Sequence, residues 1–336
     1  MADGALLLSG RYGARRRFLP PRARALAARL GQAGLAALGA SLLVWLMLPL
    51  APGDPVEMIL AARRIDEPTA EQIALLRERF GLDLPLWLRF LHWLGAVLRG
   101  DFGLSWRTGQ PVLAGLLQRL PATLQLVGLG FALSVGWSLV LALVSARWPG
   151  RWPDRAVLAY TRVAAAVPGF VLALLVLQFV VVGLGLGLVL SNGAGATLLL
   201  AAVVLGLDRA AGWTQLLRAT LLDHLARGPA DVARARGAAE GRILVTYALP
   251  PALLPWLTAV GVSLGGLIGG SPVLETIFTW PGVGQWVLQA LSVRDVPVIQ
   301  GFVLVAALAY VAASLLIDAL ALWLDPRLRA PGGPGA

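Results

Sequence analysis

Residues 223–250 are DHLARGPADVARARGAAEGRILVTYALP, and this polar stretch separates two long apolar segments. Its pattern predicts two short helices joined at a glycine. Pro229 suits the first turn of a helix, Gly237 permits a reversal of the chain, and Pro250 marks the start of the next apolar segment. We therefore expect a short helical hairpin that projects from the apolar part of the protein into water.

The apolar segments on either side, together with the composition, indicate whether the chain folds in water or in a membrane. Hydrophobic residues make up 58% of the 336-residue chain, charged residues only 14%, and mean hydropathy is +0.76. A soluble domain has about 25% charged residues. A membrane-spanning helix needs about 20 apolar residues. Five runs without a charged residue are at least that long, so this is an integral membrane protein: 30–53, 120–146, 163–207, 243–274 and 296–317.

The run 163–207 is too long for one crossing, because a single helix of that length would extend about 67 Å. Ser191-Asn192-Gly193 supplies a turn at which it folds back. The sequence therefore predicts an all-α membrane protein with six transmembrane helices: 30–50, 120–146, 157–188, 196–217, 250–272 and 299–323.

Arginine placement predicts the topology, because short loops rich in Arg remain in the cytoplasm. Segment 1–29 carries seven arginines and one Asp, whereas loop 51–119 balances eight arginines against eight acidic residues. We expect cytoplasmic N and C termini, with 325–336 as a cytoplasmic tail, and an external loop 51–119.

A cleavable signal peptide is the rival interpretation of 30–50, but this segment exceeds the usual 7–15 apolar residues. The net charge of +10 lies at the cytoplasmic face, where it meets anionic lipid and does not indicate nucleic-acid binding.

Missing residue types exclude several chemistries. All 28 basic residues are Arg, and there is no Cys. Without Lys the chain has no P-loop and no Schiff-base amine, so any ATPase is a separate subunit that binds the ATP. His92 and His224 lie far apart in sequence, and no Ser nucleophile motif occurs. We expect no enzyme activity, no catalytic residue, no metal site and no cofactor on this chain.

Loop 51–119 is long enough to carry its own structure. Thr69 and Gln72 have the spacing of a capping box, and the apolar stripe that follows ends at Gly81. A second apolar stripe over 86–94 predicts a helix that either lies on the outer membrane surface or packs on the spans. The loop is either a small external cap or a docking surface for an external partner.

Several residues in or beside the predicted spans are candidates for a substrate path. Asp208-Arg209 places two charges at membrane depth, where charges are costly. The two residues either pair structurally and snorkel, or line the path, or show that the span boundary lies elsewhere. Glu275 and Trp280 fall in the predicted external loop between spans five and six, which we expect to line the path or support a binding-protein dock. Four glycines of the fifth span, Gly265, Gly266, Gly269 and Gly270, favour close helix packing.

The hairpin resembles the cytoplasmic loop of ABC-importer permeases. The loop of that family has an acidic residue and two small residues, a glycine at a fixed interval, then an apolar residue and Leu-Pro. The matching residues here are Asp231, Val232, Ala233, Gly237, Tyr247, Leu249 and Pro250. The departures are mild: Asp231 for the usual Glu or other polar residue, Val232 for Ala, and Tyr247 for a branched apolar residue.

Further segments narrow the resemblance to permeases of the dipeptide, oligopeptide and nickel importer family, over about 30 to 330. They occur in this order: Pro52-Gly53-Asp54-Pro55, Phe80-Gly81-Leu82-Asp83-Leu84-Pro85, Gly100-Asp101-Phe102-Gly103-Leu104-Ser105, Leu120-Pro121-Ala122-Thr123-Leu124, Leu274-Glu275-Thr276-Ile277-Phe278-Thr279-Trp280-Pro281-Gly282-Val283-Gly284, Arg294-Asp295-Val296-Pro297-Val298-Ile299-Gln300-Gly301 and Leu324-Asp325-Pro326-Arg327.

The resemblance implies a type I ABC importer permease fold in the bacterial inner membrane, with a five-helix core over 120–324. In such an importer the loop 223–249 would couple to an ATPase subunit. The implied partners are a second homologous permease, two ATPase subunits and a periplasmic or lipid-anchored substrate-binding protein. Dipeptides, oligopeptides or nickel and other metal chelates are the implied substrates. The alternative is a secondary transporter without an ATPase, although the related halves typical of that class are not visible.

Overall fold

Helices account for nearly all of the regular structure. The computed structural model describes residues 21–50, 53–62, 65, 68–79, 82–185 and 194–324. Within these residues the only β pairing is an isolated antiparallel bridge between Leu104 and Pro111. The predicted all-α class is therefore confirmed.

Thirteen helices occur in the described residues. They are α1 Pro21–Leu50, α2 Pro55–Ala62, α3 Ala70–Arg79, α4 Leu86–Leu98, α5 Val112–Arg147, α6 Trp152–Ala166, α7 Gly169–Val182, α8 Ala194–Leu225, α9 Gly228–Ala235, α10 Glu240–Ile243, α11 Leu249–Ile277, α12 Val283–Ser292 and α13 Val296–Leu324. The last turns of α7 are a π-helix, and a second π-helical turn, Leu244–Ala248, joins α10 to α11 without a break.

Five long apolar helices of the described chain are able to cross a membrane, and the bent pair α6–α7 makes a sixth span if it counts as one. This agrees with the predicted six. The long helices α5 and α8 pack along each other at the centre, where Leu126, Ala201 and Leu205 are buried in one apolar cluster. Because the chain reverses between spans, residues 53–111 and 278–295 share one end of the bundle, called the cap end. The opposite end carries α9 and α10 and is called the hairpin end.

The prediction of one continuous span over 157–188 is wrong. Helix α6 ends at Ala166, α7 begins at Gly169, and their axes differ by 106°. The cause is Pro168, whose ring disfavours helical geometry at the preceding residue. Val167 accordingly has φ −102° and ψ 118°. The chain turns sharply here instead of crossing straight.

Other predicted boundaries also change: α1 begins at Pro21 instead of 30, and α8 ends at Leu225 instead of 217. Helix α5 begins at Val112, eight residues before the predicted 120, because the charge-based limit stopped at Arg119. That guanidinium lies 4.8 Å from the ring centroid of Trp286 and needs no membrane burial. Helix α11 continues to Ile277, so Glu275 is helical and does not lie in the predicted loop. The predicted turn at 191–193 and the terminal segments 1–20 and 325–336 lie outside the described residues.

The close packing predicted at the glycines of the fifth span does not occur within this chain at two of them. A Cβ added to Gly266 or Gly269 would meet no atom within 4 Å. At Gly270 the nearest atom would be Arg209 Nη2, 3.3 Å away. Of the three, only Gly270 therefore makes room for a neighbour in this chain.

The cap end is folded as the sequence predicts. The Thr69 backbone N–H donates to Gln72 Oε1 at 3.0 Å, and the Gln72 N–H donates to Thr69 Oγ1 at 3.3 Å, which is a capping box. A buried carboxylate, Asp295, then holds the cap to the start of α13. Its oxygens accept hydrogen bonds from Ser105 Oγ at 2.5 Å and from the backbone N–H of Trp106 at 3.0 Å.

Candidate functional site

The predicted hairpin forms at the end of α8, with Gly237 at its turn. Gly237 has φ +78°, a conformation that costs a residue with a Cβ about 1 kcal/mol or more. Its N–H donates to Arg234 O at 2.9 Å, and the Ala238 N–H donates to Ala233 O at 3.1 Å. This pair of bonds is a Schellman motif, which ends α9 and fixes the direction of the chain into α10.

The hairpin has a small apolar interior and a polar outside. Ala230 and Ala233 of α9 pack on Ile243 of α10, and all three are buried. Asp231 and Val232 point away from this contact, and Val232 is 51% exposed. Both side chains are therefore accessible to another protein at the outer face of α9.

Arg234 fastens the hairpin from outside. Its Nε lies 2.7 Å from Glu240 Oε1, and its Nη1 lies 2.9 Å from Asp231 Oδ1 and 3.2 Å from the carbonyl oxygen of Leu225. The hydrogen bond that Arg234 donates to the Glu240 carboxylate is the main reason that the pKa of Arg234 is raised above its usual value. One guanidinium therefore joins α8, α9 and α10, which makes the hairpin a rigid unit.

The other predicted residues of the loop lie on the returning chain. Tyr247 is in the π-helical turn and is exposed, as is Pro250 at the start of α11, whereas Leu249 is half-buried. Leu249 packs against a buried cluster that contains Trp213, Leu244 and Trp256. The returning chain thus connects the hairpin directly to the packed centre of the bundle.

A buried ion pair supports the same end, and no sequence pattern indicates it. Asp154 of α6 accepts hydrogen bonds from Arg218 Nε at 2.7 Å and Nη2 at 2.8 Å, and from the Gly150 N–H at 2.7 Å. Ser145 of α5 donates to the same carboxylate. The network joins α5, α6 and α8 beneath the hairpin. Its members are up to 73 residues apart, too far for any local spacing to reveal.

Asp208 and Arg209 lie near the middle of α8, and they face a pocket of about 170 Å³ beside the α6–α7 bend. Arg209 Nε lies 3.4 Å from Asp208 Oδ2, yet this buried nitrogen makes no hydrogen bond. The Arg209 side chain is 41% exposed and the Asp208 side chain is 26% exposed. Gly169 and Gly270 line the same pocket, and among its described lining residues this pair carries the only charges. The two charges attract each other but retain hydrogen-bonding capacity for a third group.

Glu275 and Trp280 form a clasp between α11 and α5. The Glu275 carboxylate is fully buried and accepts hydrogen bonds from Thr123 Oγ1 at 2.8 Å, Ser271 Oγ at 3.1 Å and the Gln285 N–H at 2.9 Å. Trp280 Nε1 donates to the Ala122 carbonyl at 2.7 Å. Gly282 is required because a Cβ there would collide with Glu275. This burial favours a bracing role for the predicted path residues Glu275 and Trp280. Thr123, a partner missed from sequence, belongs to the quoted Leu-Pro-Ala-Thr segment.

No cluster of three or more metal-binding side chains occurs in the described part of the chain. The features found there are mechanical ones: a stiff polar hairpin, a buried brace beneath it, a charged pocket at mid-membrane depth and a clasped cap.

Comparison with known proteins places these features in a family. The sequence model described as binding-protein-dependent transport system inner membrane component matches residues 138–330, which is more than half of the chain. The glutathione transport system permease protein GsiC of Escherichia coli (strain K12) is 32% identical over 289 residues, 86% of this chain and 93% of that protein. GsiC of Shigella boydii serotype 4 (strain Sb227) shows the same identity and coverage.

Two solved structures share the fold. An inward-facing MetNI methionine ABC transporter has 21% identity and a TM-score of 0.51, over 63% of this chain and 96% of that chain. An amino acid ABC transporter has 17% identity and a TM-score of 0.50, over 62% and 94%. The chain belongs to the family of binding-protein-dependent transport system inner membrane components, and it is a multi-pass permease of an ABC importer, a class in which ATP hydrolysis resides on a separate subunit.

Proposed function

We propose that the hairpin Gly228–Ile243 is the element through which ATPase closure is transmitted to the spans. The observation that carries this proposal is its rigidity combined with an exposed tip: Arg234 joins three helices, while the side chains of Val232 and of the ion-paired Asp231 are exposed to solvent. Two such hairpins drawn together would rotate the bundles as rigid bodies between inward-open and outward-open packings. The buried Asp154–Arg218 pair would carry the displacement into α5 and α6.

The proposed assembly contains this chain, a second homologous permease, two ATPase subunits and a substrate-binding protein that is periplasmic or lipid-anchored. The hairpin end, with Arg227, Arg234, Arg236 and Arg242, is cytoplasmic in this proposal, as are both termini. The cap end then faces the periplasm and the binding protein. ATP is bound by the partners, and this chain needs no cofactor.

The proposed substrates are small peptides of the size of glutathione. The support comes from the relatives named as glutathione permeases, which cover 86% of this chain. A nickel chelate is the weaker candidate, because none of these relatives carries that name.

The proposed path passes Asp208 and Arg209. A peptide carries a carboxylate and an ammonium group, and the pair offers one partner of each sign in a pocket at mid-membrane depth. Charges at this depth usually face protein or a water-filled cavity.

Coupling is tested with Val232→Asp, whose side chain is exposed, and with the near-isosteric control Val232→Thr. The tagged protein is expressed with its partner genes and purified in mild detergent, and the ATPase activity of the eluate is measured. We expect Val232→Asp to lose the ATPase and Val232→Thr to retain it. Equal recovery of ATPase with both variants would refute the role of the hairpin, and absence of ATPase even from crosslinked native protein would favour a secondary transporter.

The path and the substrate are tested in proteoliposomes containing the whole transporter and its binding protein. Asp208→Asn and Arg209→Gln are compared with Asp223→Asn, which alters an exposed ion pair with Arg227 at the end of the same helix. We expect at least a tenfold loss of glutathione or dipeptide uptake for the first two and none for the third. Uptake of a nickel chelate but of no peptide would reject the proposed substrate.

A further inference from the structure

A second, larger cavity lies at the cap end and is separate from the proposed path. Its volume is about 500 Å³, within the range of small-molecule sites, and it lies between the end of α1, helix α4 and the 101–106 loop. The apolar part of its lining includes three tryptophans, Trp45, Trp93 and Trp106, and Leu48. Its charged lining residues are Arg89, Glu78 and Asp101, together with the titratable His92.

Arg89 is the residue that points to a ligand. It is half-buried on α4, and within the described residues it makes no hydrogen bond and no ion pair. Burial lowers the pKa of its guanidinium below the usual value, because desolvation disfavours the charged form. A partly desolvated, planar guanidinium gains most from an anion that accepts two parallel hydrogen bonds, such as a phosphate with its two free oxygens.

The cavity lies at the depth of the membrane interface. Trp45 packs edge to face on Phe90 of α4, with ring centroids 5.5 Å apart, and it is five residues, about 8 Å, from the end of α1. Tryptophans concentrate at this depth. Helix α4 also exposes large apolar side chains, among them Trp87 at 65% and Leu98 at 79%. Lipid at the membrane interface would cover this exposed face, and the cavity would then lie next to the acyl chains.

We propose that this cavity binds one aminophospholipid of the outer leaflet, with its phosphate on Arg89 and its ammonium group near Glu78 and Asp101. One Asp101 oxygen already accepts the Gly103 N–H at 2.9 Å, which leaves the other for the ligand. The acyl chains lie along Trp45 and Leu48 and continue over the exposed face of α4. The cavity volume fits the headgroup and the upper part of the chains. The lipid would fasten α4 to α1 and so stabilise the cap against which an external partner presses.

The experiment is native mass spectrometry of the full chain, purified in detergent and delipidated, then titrated with dihexanoyl phosphatidylethanolamine or phosphatidylglycerol. Arg89→Ala is compared with Arg99→Ala, which removes an exposed guanidinium just beyond the same helix and outside the cavity lining. We expect one tightly bound phosphatidylethanolamine in the native chain and in Arg99→Ala, and at least tenfold weaker binding in Arg89→Ala. Glu78→Gln should reduce the preference for phosphatidylethanolamine over phosphatidylglycerol while phosphate-dependent binding persists.

Arg89→Lys keeps the charge but loses the bidentate geometry, so it reports on the site even if Arg89→Ala does not fold, and it should bind several times more weakly than the native chain. Equal lipid retention by the Arg89 and Arg99 variants would overturn the proposal. So would displacement of the lipid by millimolar glutathione, since the cavity would then be a substrate site. Neither outcome depends on the hairpin or on uptake.

Discussion

Glu275 Oε1 accepts a 2.8 Å hydrogen bond from Thr123 Oγ1, which joins the end of α11 to α5 across 152 residues of sequence. Thr123 Oγ1 in turn accepts the Val283 N–H at 2.9 Å, so a single hydroxyl connects the carboxylate to the start of α12. A donor or acceptor left unpaired at a buried site costs about 1–3 kcal/mol.

The first prediction concerns this clasp. Thr123→Val and Glu275→Gln should each lower the melting temperature of the purified protein by several degrees, because each leaves a buried polar group unpaired. The double variant should lose less unfolding free energy than the two single variants together, with a coupling free energy of about 0.5–3 kcal/mol. Thr258→Val, which alters an exposed threonine of the same helix, is the control. Strict additivity in a thermal unfolding assay would show that the two side chains do not act together.

Asp295 provides a second test, at the junction of the cap and α13. Asp295→Asn replaces one of the two oxygens by an NH₂ group that accepts no hydrogen bond, so the Ser105 hydroxyl and the Trp106 N–H, which bond to different oxygens, no longer both have an acceptor. We expect the 101–111 segment to loosen and to be cleaved at least several times faster by a protease added to the detergent-purified protein. Asp83→Asn, at an exposed carboxylate of the same cap, should leave the cleavage rate unchanged. Identical cleavage patterns would contradict the bracing role of Asp295.

The Asp154–Arg218 pair predicts a charge-balance effect at the hairpin end. Removing one partner of a buried ion pair costs about 3–5 kcal/mol, because the other charge is left uncompensated. Asp154→Asn and Arg218→Met should therefore each destabilise the protein, whereas the double variant should recover much of the loss. Thermal unfolding measures the stability, and copurified ATPase activity measures the effect on the hairpin. Two single variants with native stability would rule out the network as a brace.

Gly237 is predicted to matter through its backbone alone. Gly237→Ala places a Cβ at φ +78° and should cost about 1 kcal/mol locally, loosening the turn between α9 and α10. We expect substrate-stimulated ATP hydrolysis by the assembled transporter to fall several-fold. The matched control is Gly212→Ala in α8, where an added Cβ meets no atom within 4 Å and alanine favours the helix. If substrate stimulates ATP hydrolysis as strongly in the Gly237→Ala transporter as in the native one, the rigid turn is not needed for coupling.

Local sequence was sufficient for the parts of this protein whose physics is local. Charge-free runs gave the number of spans, because each run had to match the thickness of the bilayer. The hairpin followed from Pro229 and Gly237, and the capping box from Thr69 and Gln72, because each depends on residues a few positions apart.

The tertiary structure decided everything that depends on distant contacts. The predicted span stopped at Arg119 because that residue is charged, so the first turns of α5 were missed. Only the structure shows that the Arg119 guanidinium packs on Trp286. Pro168 was visible in the sequence, but the 106° bend that it permits depends on how α6 and α7 each pack against α8. Glu275 was predicted to lie in an external loop, whereas in the structure its carboxylate is buried and accepts hydrogen bonds from Thr123 Oγ1 and from the Gln285 N–H.

The sequence alone thus determined that the chain lies in a membrane, how many spans it has and where the hairpin forms, because hydropathy and turn geometry depend on residues that are close in sequence. Only the folded chain decided which charges are paired, since a buried carboxylate is stabilised by whatever donors packing brings to it from anywhere in the chain.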